Sequence, residues 1–402
     1  MATHQTGHNI IVAYKVEVTF NTAVSGASGY QFRPNSGGLK LTRALIESKE
    51  IRSDGKTPMG RLGSKSVTGT YAGELSLGTF DPLFEAVMRS TFTTLSITQA
   101  TASLVSVIAG ADTHTLQCDV SGNWFTGGVM VGDVFRLTNF ATSADNSINL
   151  RVTGVATITL TVMETLVTNT APDTTFTLVR GKKVIQGTTP TRRSWTFDEY
   201  DADLDLSKVA SGCRISSMKI TGQPDGMAMV EFGIVGADLT PLASGASPSL
   251  TSPTLTTSIA LTWADAVIRV GANSRTNLTA FELMIDMSAK GQPVIGSSTT
   301  PDVFENNSKV TGSISSTLTD FSDLTNFTAE TEFEFHALLT EPESEPKDYI
   351  SLFFARGKLT AFDDSIGQDG PKIVTLPFMV GTKGSGVAGY DDSMIILETS
   401  AA

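Results

Sequence analysis

Charge, sulfur and aromatic rings are all scarce in this chain. Of its 402 residues only 17% are charged, two are cysteine and three are tryptophan. At this length a core holds without disulfides, so Cys118 and Cys213 read as two buried or half-buried thiols. No apolar run approaches the ~20 residues that span a bilayer. Met1 to Lys15 lacks the long apolar core of a secretory signal. The expectation is a soluble product made in the cytoplasm, without membrane insertion. Among four histidines only His4 and His8 have metal-ligand spacing, in a segment expected to be mobile, so no metal and no cofactor are expected.

Motifs for catalysis are missing as well. There is no Gly-x-Ser-x-Gly elbow, no His-Glu-x-x-His, no phosphate loop and no dinucleotide fingerprint. Carboxylates cluster at Asp198-Glu199-Tyr200-Asp201-Ala202-Asp203-Leu204-Asp205 and at Glu341 to Glu345. A glycosidase pair would need such groups across a cleft; a solvated acidic loop needs only their charge. A net charge of −12 argues against gripping nucleic acid, which takes basic stripes. It suits a wall past which a polyanion slides, because repeated favourable contacts would act as friction.

What the chain does have is a repeated phrase. Ser66-Val67-Thr68-Gly69-Thr70-Tyr71 and Lys309-Val310-Thr311-Gly312-Ser313-Ile314 lie 243 positions apart. Leu39 to Leu45 and Glu282 to Met287 keep that offset with strand-like alternation. Leu75 and Leu318 correspond, and each strand runs into a short helix. In the first, Asp81 can cap, Pro82 suits the first turn, and Leu83, Phe84, Val87 and Met88 make an apolar face. The second helix is expected within Phe321 to Ala329. Each copy closes with a hairpin, Cys213 to Val235 and Leu352 to Val380, and the first carries about 103 extra residues. The chain is therefore read as mainly β, with two fused sandwich or barrel modules and an inserted small β-sandwich. The first module is discontinuous, residues 1–96 and 189–245; the insert is 97–188 and the second module 246–402. Strands expected in the insert are Leu104 to Ile108, Thr115 to Cys118, Val134 to Thr138, Asn149 to Val155, Ile158 to Met163 and Thr175 to Val179. It is expected to fold by itself on an exposed host loop and to decorate the outer surface.

Residues 44 to 92, through Gly69, Leu75 and the Phe80 to Ala86 helix, resemble the tail tube proteins (major tail proteins) of long-tailed, siphovirus-like bacteriophages. The likeness continues through Gly212 to Gly236 and resumes at Leu283 to Asp286, Pro301 to Phe304, Lys309 to Gly312 and Pro371 to Phe378. It implies no enzyme but a structural virion protein that polymerises into stacked rings around a channel for DNA. Its partners would be copies of itself, with tail terminator, distal tail and tape-measure proteins; DNA would pass without specific binding. Two modules per chain imply trimers with pseudo-sixfold symmetry, hexamers being the alternative.

Such a tube needs closed edges, a reach to the next ring and a restraint on premature stacking. Strands around Val67 to Leu77 and Val310 to Leu318 are candidates for the lumen or the neighbouring module. The loop Ile51 to Arg61 is the candidate inter-ring arm, with Arg52, Asp54, Lys56, Arg61 and the nearby Lys65. Asp198, Glu199, Asp201, Asp203 and Asp205 are candidate acidic partners on a neighbour. Met1 to Asn9 and Gly384 to Ala402 are candidates for segments that order on docking. A surface adhesin or glycan-binding β protein is the alternative, motivated by Trp124-Phe125 between glycines; Trp195 and Trp263 read as core or inter-module packing. A chain lacking Ile51 to Arg61 is expected to fold but not polymerise; electron microscopy showing tubes of normal length from it would refute the arm.

Overall fold

The computed structural model describes residues 4–99, 105–109, 114–118, 127–140, 142–173, 176–271, 273–342, 346–364, 370–384 and 387–400. The architecture is mainly β. The chain opens with β1 (Ile10–Val16), β2 (Tyr30–Phe32), β3 (Pro34–Ile46), β4 (Arg61–Glu74) and α1 (Asp81–Met88). A stretch of β5 (Thr93–Gln99), β6 (Val105–Ala109), β7 (His114–Cys118), β8 (Val134–Thr138), β9 (Leu150–Val155), β10 (Thr159–Val162), β11 (Asn169–Asp173) and β12 (Phe176–Ile185) follows. Next come β13 (Trp195–Asp201), β14 (Leu206–Gly222), β15 (Met229–Gly236) and β16 (Asp238–Leu242). The rest is β17 (Ala266–Val270), β18 (Asn273–Ser274), β19 (Leu278–Asp286), β20 (Lys290–Gly291), β21 (Val303–Phe304), β22 (Lys309–Thr317), α2 (Ser322–Thr328), β23 (Glu332–Thr340), β24 (Tyr349–Leu359), β25 (Ile373–Val380) and β26 (Ile396–Thr399). Leu104, Thr175, Trp124 and Phe125 lie outside the described residues.

One pairing pattern occurs twice. In the first half, β2–β1–β13–β14–β16 makes one ladder and β3–β4–β15–β14 another. The second half repeats this as β18–β17–β23–β24–β26 and β19–β22–β25–β24. Register fixes the correspondence, because Gly69 faces Leu39 and Ile234 while Gly312 faces Leu283 and Phe378. Leu39 therefore matches Leu283, at an offset one residue greater than the 243 of the Val-Thr-Gly phrase. The reason is that the chain from Leu39 to Gly69 is one residue longer than that from Leu283 to Gly312.

The glycine of the phrase has a steric cause in both halves. A Cβ on Gly69 would lie 2.1 Å from the Gly38 carbonyl oxygen, and one on Gly312 would lie 2.2 Å from that of Glu282. Neighbouring backbones approach too closely there for any side chain.

Helix α1 buries the expected face, Leu83, Phe84, Val87 and Met88. Its N-cap is Phe80 rather than Asp81, and no side chain caps it. Asp81 is instead the first helical residue and pairs with Lys182 at 3.2 Å. The Phe80 ring is wanted in the core, 5.2 Å from Phe32 and 5.7 Å from Phe232. Burying that ring outweighs a cap worth about 1 kcal/mol.

The β5–β12 stretch packs Val107, Leu116, Phe135, Leu150, Phe176 and Leu178 into an apolar cluster of its own. It is nevertheless tied to the far end of the chain, because β12 pairs with β5 and β8 and then, at Lys182 to Ile185, with β26. The stretch is thus joined to the rest of the chain by a strand ladder as well as by its two ends. The same ladder overturns the expectation of an unordered tail: Ile395 to Thr399, within Gly384 to Ala402, is buried.

A buried charge cluster locks this contact. Lys183 Nζ meets Asp133 at 2.5 Å and Asp391 at 2.9 Å, Arg180 lies 3.3 Å from Asp133, and Glu398 accepts the Val134 N–H at 2.8 Å. Burial, reinforced by Asp133, holds the Glu398 carboxyl well above the usual range. Lys183→Met would strand buried carboxylates and is expected to cost about 3 kcal/mol in thermal or denaturant unfolding. Ionising Glu398 costs more in the folded than in the unfolded chain, so its contribution to stability is full below the unfolded value near 4.5 and falls as pH rises toward the folded one. Glu398→Gln is therefore expected to raise the midpoint at pH 8 and change it little at pH 4; a drop at pH 8 would contradict this.

Candidate assembly surfaces

The two halves meet through a strand ladder rather than through side chains alone. From Ser217 opposite Asp286 to Gly222 opposite Phe281, β14 pairs antiparallel with β19. Across it Lys219 meets Glu282 at 2.9 Å. Trp263 closes one end, donating from Nε1 to the Thr221 carbonyl at 3.1 Å with its ring 5.2 Å from Phe281. The junction fuses eight strands into one ladder, β3–β4–β15–β14–β19–β22–β25–β24.

Among the described residues β3 leaves one end of that ladder uncovered, while at the other end β24 is flanked by β23 as far as Lys358 and only the chain beyond it lacks a second partner strand. β3 is 13 residues long and pairs with β4 on one side only. At the far end the chain after β24 meets β25 through Thr360 N–H to Pro377 O at 2.8 Å and the Asp363–Thr375 bridge. Register exposes the consequence. Leu41 and Ile285 face the equivalent residues Val67 and Val310, yet Ile285 is 0% exposed and Leu41 is 38% exposed. Ile285 is covered because β14 lies beside it.

Val67, Leu75 and Val310 are core residues, Gly69 and Gly312 sit at the close approaches, and Leu318 is half-buried with its N–H on the Lys372 carbonyl. Arg52, Asp54 and Lys56 are exposed on the β3–β4 loop and Arg61, also exposed, opens β4, with Arg52 and Asp54 paired at 2.9 Å. Lys65 is drawn away from them to Asp238 at 2.7 Å. Reading the loop for charge missed its apolar tip, where Ile51 is 97% and Met59 94% exposed.

Four of the five acidic candidates have partners within the chain. Asp198 is buried, accepts the Leu250 N–H at 2.8 Å, and burial raises its carboxyl. Glu199 accepts from Lys208 and from the Tyr71 hydroxyl. Asp203 takes the Thr6 hydroxyl and N–H and the Asn9 side chain, which lowers its carboxyl to about 2 and holds residues 6–9 against the β13–β14 turn. Asp205 accepts from Ser244, Gly245 and Tyr200. Asp201 sits on β13 opposite Ile10. Glu343 and Glu345 lie outside the described residues.

The halves differ most in their cores. In the first, Tyr14, Phe32, Tyr71, Phe80, Phe84 and Phe232 pack together, most of these rings fully buried. By register and helix position, Tyr14, Tyr71, Phe232 and Phe84 correspond to Val270, Ile314, Leu376 and Thr325. Phe321, the N-cap of α2 as Phe80 is of α1, is 56% exposed, and no α2 residue is fully buried. A cleft of about 670 Å³ lies there, lined in part by Val270, Leu278, Ile314, Phe333 and Leu376 and by Thr153, Met163 and Tyr390, and its acids Asp323, Glu332 and Glu334 pair with Arg275, Arg356 and Arg269. Among the described residues no group of three His, Cys, Asp or Glu could hold a metal ion.

A family model described as phage tail tube protein matches residues 7–380. No curated protein matches the chain. At the repeated glycine, Gly312→Ala is expected to cost about 2 kcal/mol through forced strand separation, whereas Thr311→Ala, on the opposite face, should stay within about 0.5 kcal/mol. Equal unfolding midpoints for the two variants would contradict the steric account.

Proposed function

The chain belongs to the phage tail tube protein family, a structural component of the virion tail, and from that premise we propose how its subunits close and stack. Three chains form a ring, each giving eight strands, so that β3 of one chain pairs with the open edge after β24 of the next. The β14–β19 junction supports this, since it already joins an equivalent last strand to an equivalent first strand. About 24 strands would enclose a water-filled channel wider than that of barrels of 16 to 18 strands. Six chains with one half lining the channel is the alternative stoichiometry.

The face of the ladder turned from the core would line the channel. It carries Thr68, Thr70, Thr311, Ser313 and Ser315, with Lys40, Lys219 and Lys309 interspersed among Glu231, Glu282 and Asp286. The negative charge of the chain is not gathered there. Hydroxyls and mixed charges give a passing duplex no repeated strong contact, which serves sliding as well as a repelling wall. No strand from Thr93 to Ile185 pairs with the eight, among the described residues, which supports an insert on the outer surface.

The β3–β4 loop would reach the next ring, and tail terminator, distal tail and tape-measure proteins would bound the assembly. Leu41→Asp tests ring closure, because it places a charge on the open edge where Ile285 is buried in the junction. Negative-stain images of the unaltered protein are expected to show rings and hollow rods, and Leu41→Asp only folded monomers. Normal rings from the variant would refute closure through β3.

A further inference from the structure

The strand that carries the internal junction and the strand at the far end of the ladder share one irregularity. β14 shifts register by one residue against β15 between Ile215 and Ser217, and from Ser217 onward β19 is its second neighbour. At the far end Leu359 lies opposite Phe378 and Asp363 opposite Thr375, so one extra residue falls between them as well. Ile234 and Phe378 are equivalent through Gly69 and Gly312, which puts Ala361, Phe362 and Asp363 in the places of Ser217, Met218 and Lys219. On β3, Lys40, Leu41 and Thr42 take the places of Met284, Ile285 and Asp286. Asp364, in the place of Ile220, is paired with Lys372 at 2.6 Å and ends the likeness. Backbone supply agrees, because Asp363 exchanges both of its hydrogen bonds with Thr375, at 3.0 and 2.8 Å. Alternation along an antiparallel ladder then turns the Phe362 N–H and C=O to the side that lacks a strand.

One pair of side chains departs from the internal junction. There Lys219 lies opposite Met284 and reaches Glu282 at 2.9 Å. The equivalent residues on the two free edges are Asp363 and Lys40, of opposite charge. Both are exposed, and among the described residues neither side chain is paired within the chain. β3 carries two bases, Lys40 and Arg43, and no acid, while the charges of residues 360–364 are both acidic.

We infer that the seam between two copies of this chain sets Ala361 opposite Thr42, Phe362 opposite Leu41 and Asp363 opposite Lys40, and that the Lys40–Asp363 pair selects which edges meet. Half-buried Phe362 covers Leu41 as Met218 covers Ile285. A β3 edge meeting a second β3 brings bases together, and two far edges bring acids together. Head-to-tail pairing joins opposite signs, and that is the pairing a ring requires. An exposed ion pair adds little affinity, so its effect lies in the choice of partner edge. Inside the chain, where connectivity already fixes the partners, the same two positions are Lys219 and Met284.

This inference rests on the ring reading, and the two fail differently: without rings from the unaltered protein the reading falls, whereas rings joined in another register overturn the inference alone. Chains carrying Lys40→Cys with Asp363→Cys are assembled and oxidised; native Cys118 and Cys213 are both buried. Opposite residues that exchange no backbone bonds bring their Cα atoms to about 4.5 Å, within reach of a disulfide. Linked trimers from rings, and unlinked chains from dilute unassembled protein, are expected on non-reducing gels. Lys40→Cys with Ala361→Cys, two residues out of register, separates the Cα atoms by about 7–8 Å and should stay unlinked. Lys40→Glu and Asp363→Lys should each raise the concentration at which rings form about tenfold, and the two together should restore it. Rings without the Lys40–Asp363 link, a link from Ala361 instead, or a combined charge reversal no better than either single one would each overturn the seam.

Discussion

Backbone hydrogen bonding at the two ends of the eight-strand ladder governs the rest of this molecule. A strand edge presents donors and acceptors that pair with whatever strand arrives, and an edge 13 residues long is a strong template. Lys40, Arg43 and Pro34 on the edge blunt it in part. Here the edge keeps Leu39 and Leu41 on its core-facing side, which only another strand can bury. Inside the chain the same problem has been solved once, where β19 lies along β14 and Ile285 disappears from solvent. A subunit that carries both the solved and the unsolved version of one junction is built to be completed by its own kind.

Duplication explains why the two halves share a ladder, and divergence explains why they do not share a core. The glycines at 69 and 312 stay because no other residue fits between backbones that close. Core positions are under looser control, since a large ring can be exchanged for a smaller side chain wherever some other group covers the space. Tyr14, Tyr71 and Phe232 against Val270, Ile314 and Leu376 is such an exchange, and the three smaller side chains line the cleft of the second half.

Much of the repeat was legible in residues 39–88 and 282–329, because alternation, the Val-Thr-Gly phrase and a proline at the start of α1 are local signals. The fold class and the closing hairpins followed from the same periodicity. Less local features were hidden. Nothing near Lys182 announces a ladder with Ile396 to Thr399 more than two hundred residues away, so the tail was expected to be unordered. Asp81 has the chemistry of a cap, yet the burial of Phe80 decided the helix start. The acidic run from Asp198 to Asp205 looked like a solvated face or a partner surface; its spacing does not reveal that Thr6, Leu250 and Ser244 would take up the carboxylates. The cleft was invisible for a different reason, since its lining comes from segments as far apart as Thr153, Val270 and Tyr390.

Ring symmetry separates the possibilities most directly. Cryo-electron microscopy of assembled tubes should resolve three chains per ring, both halves of each lining the channel, with β3 of one chain paired to the strand after β24 of the next. Six chains per ring with a single half on the lumen, or three chains whose β3 edges face solvent, would contradict the account.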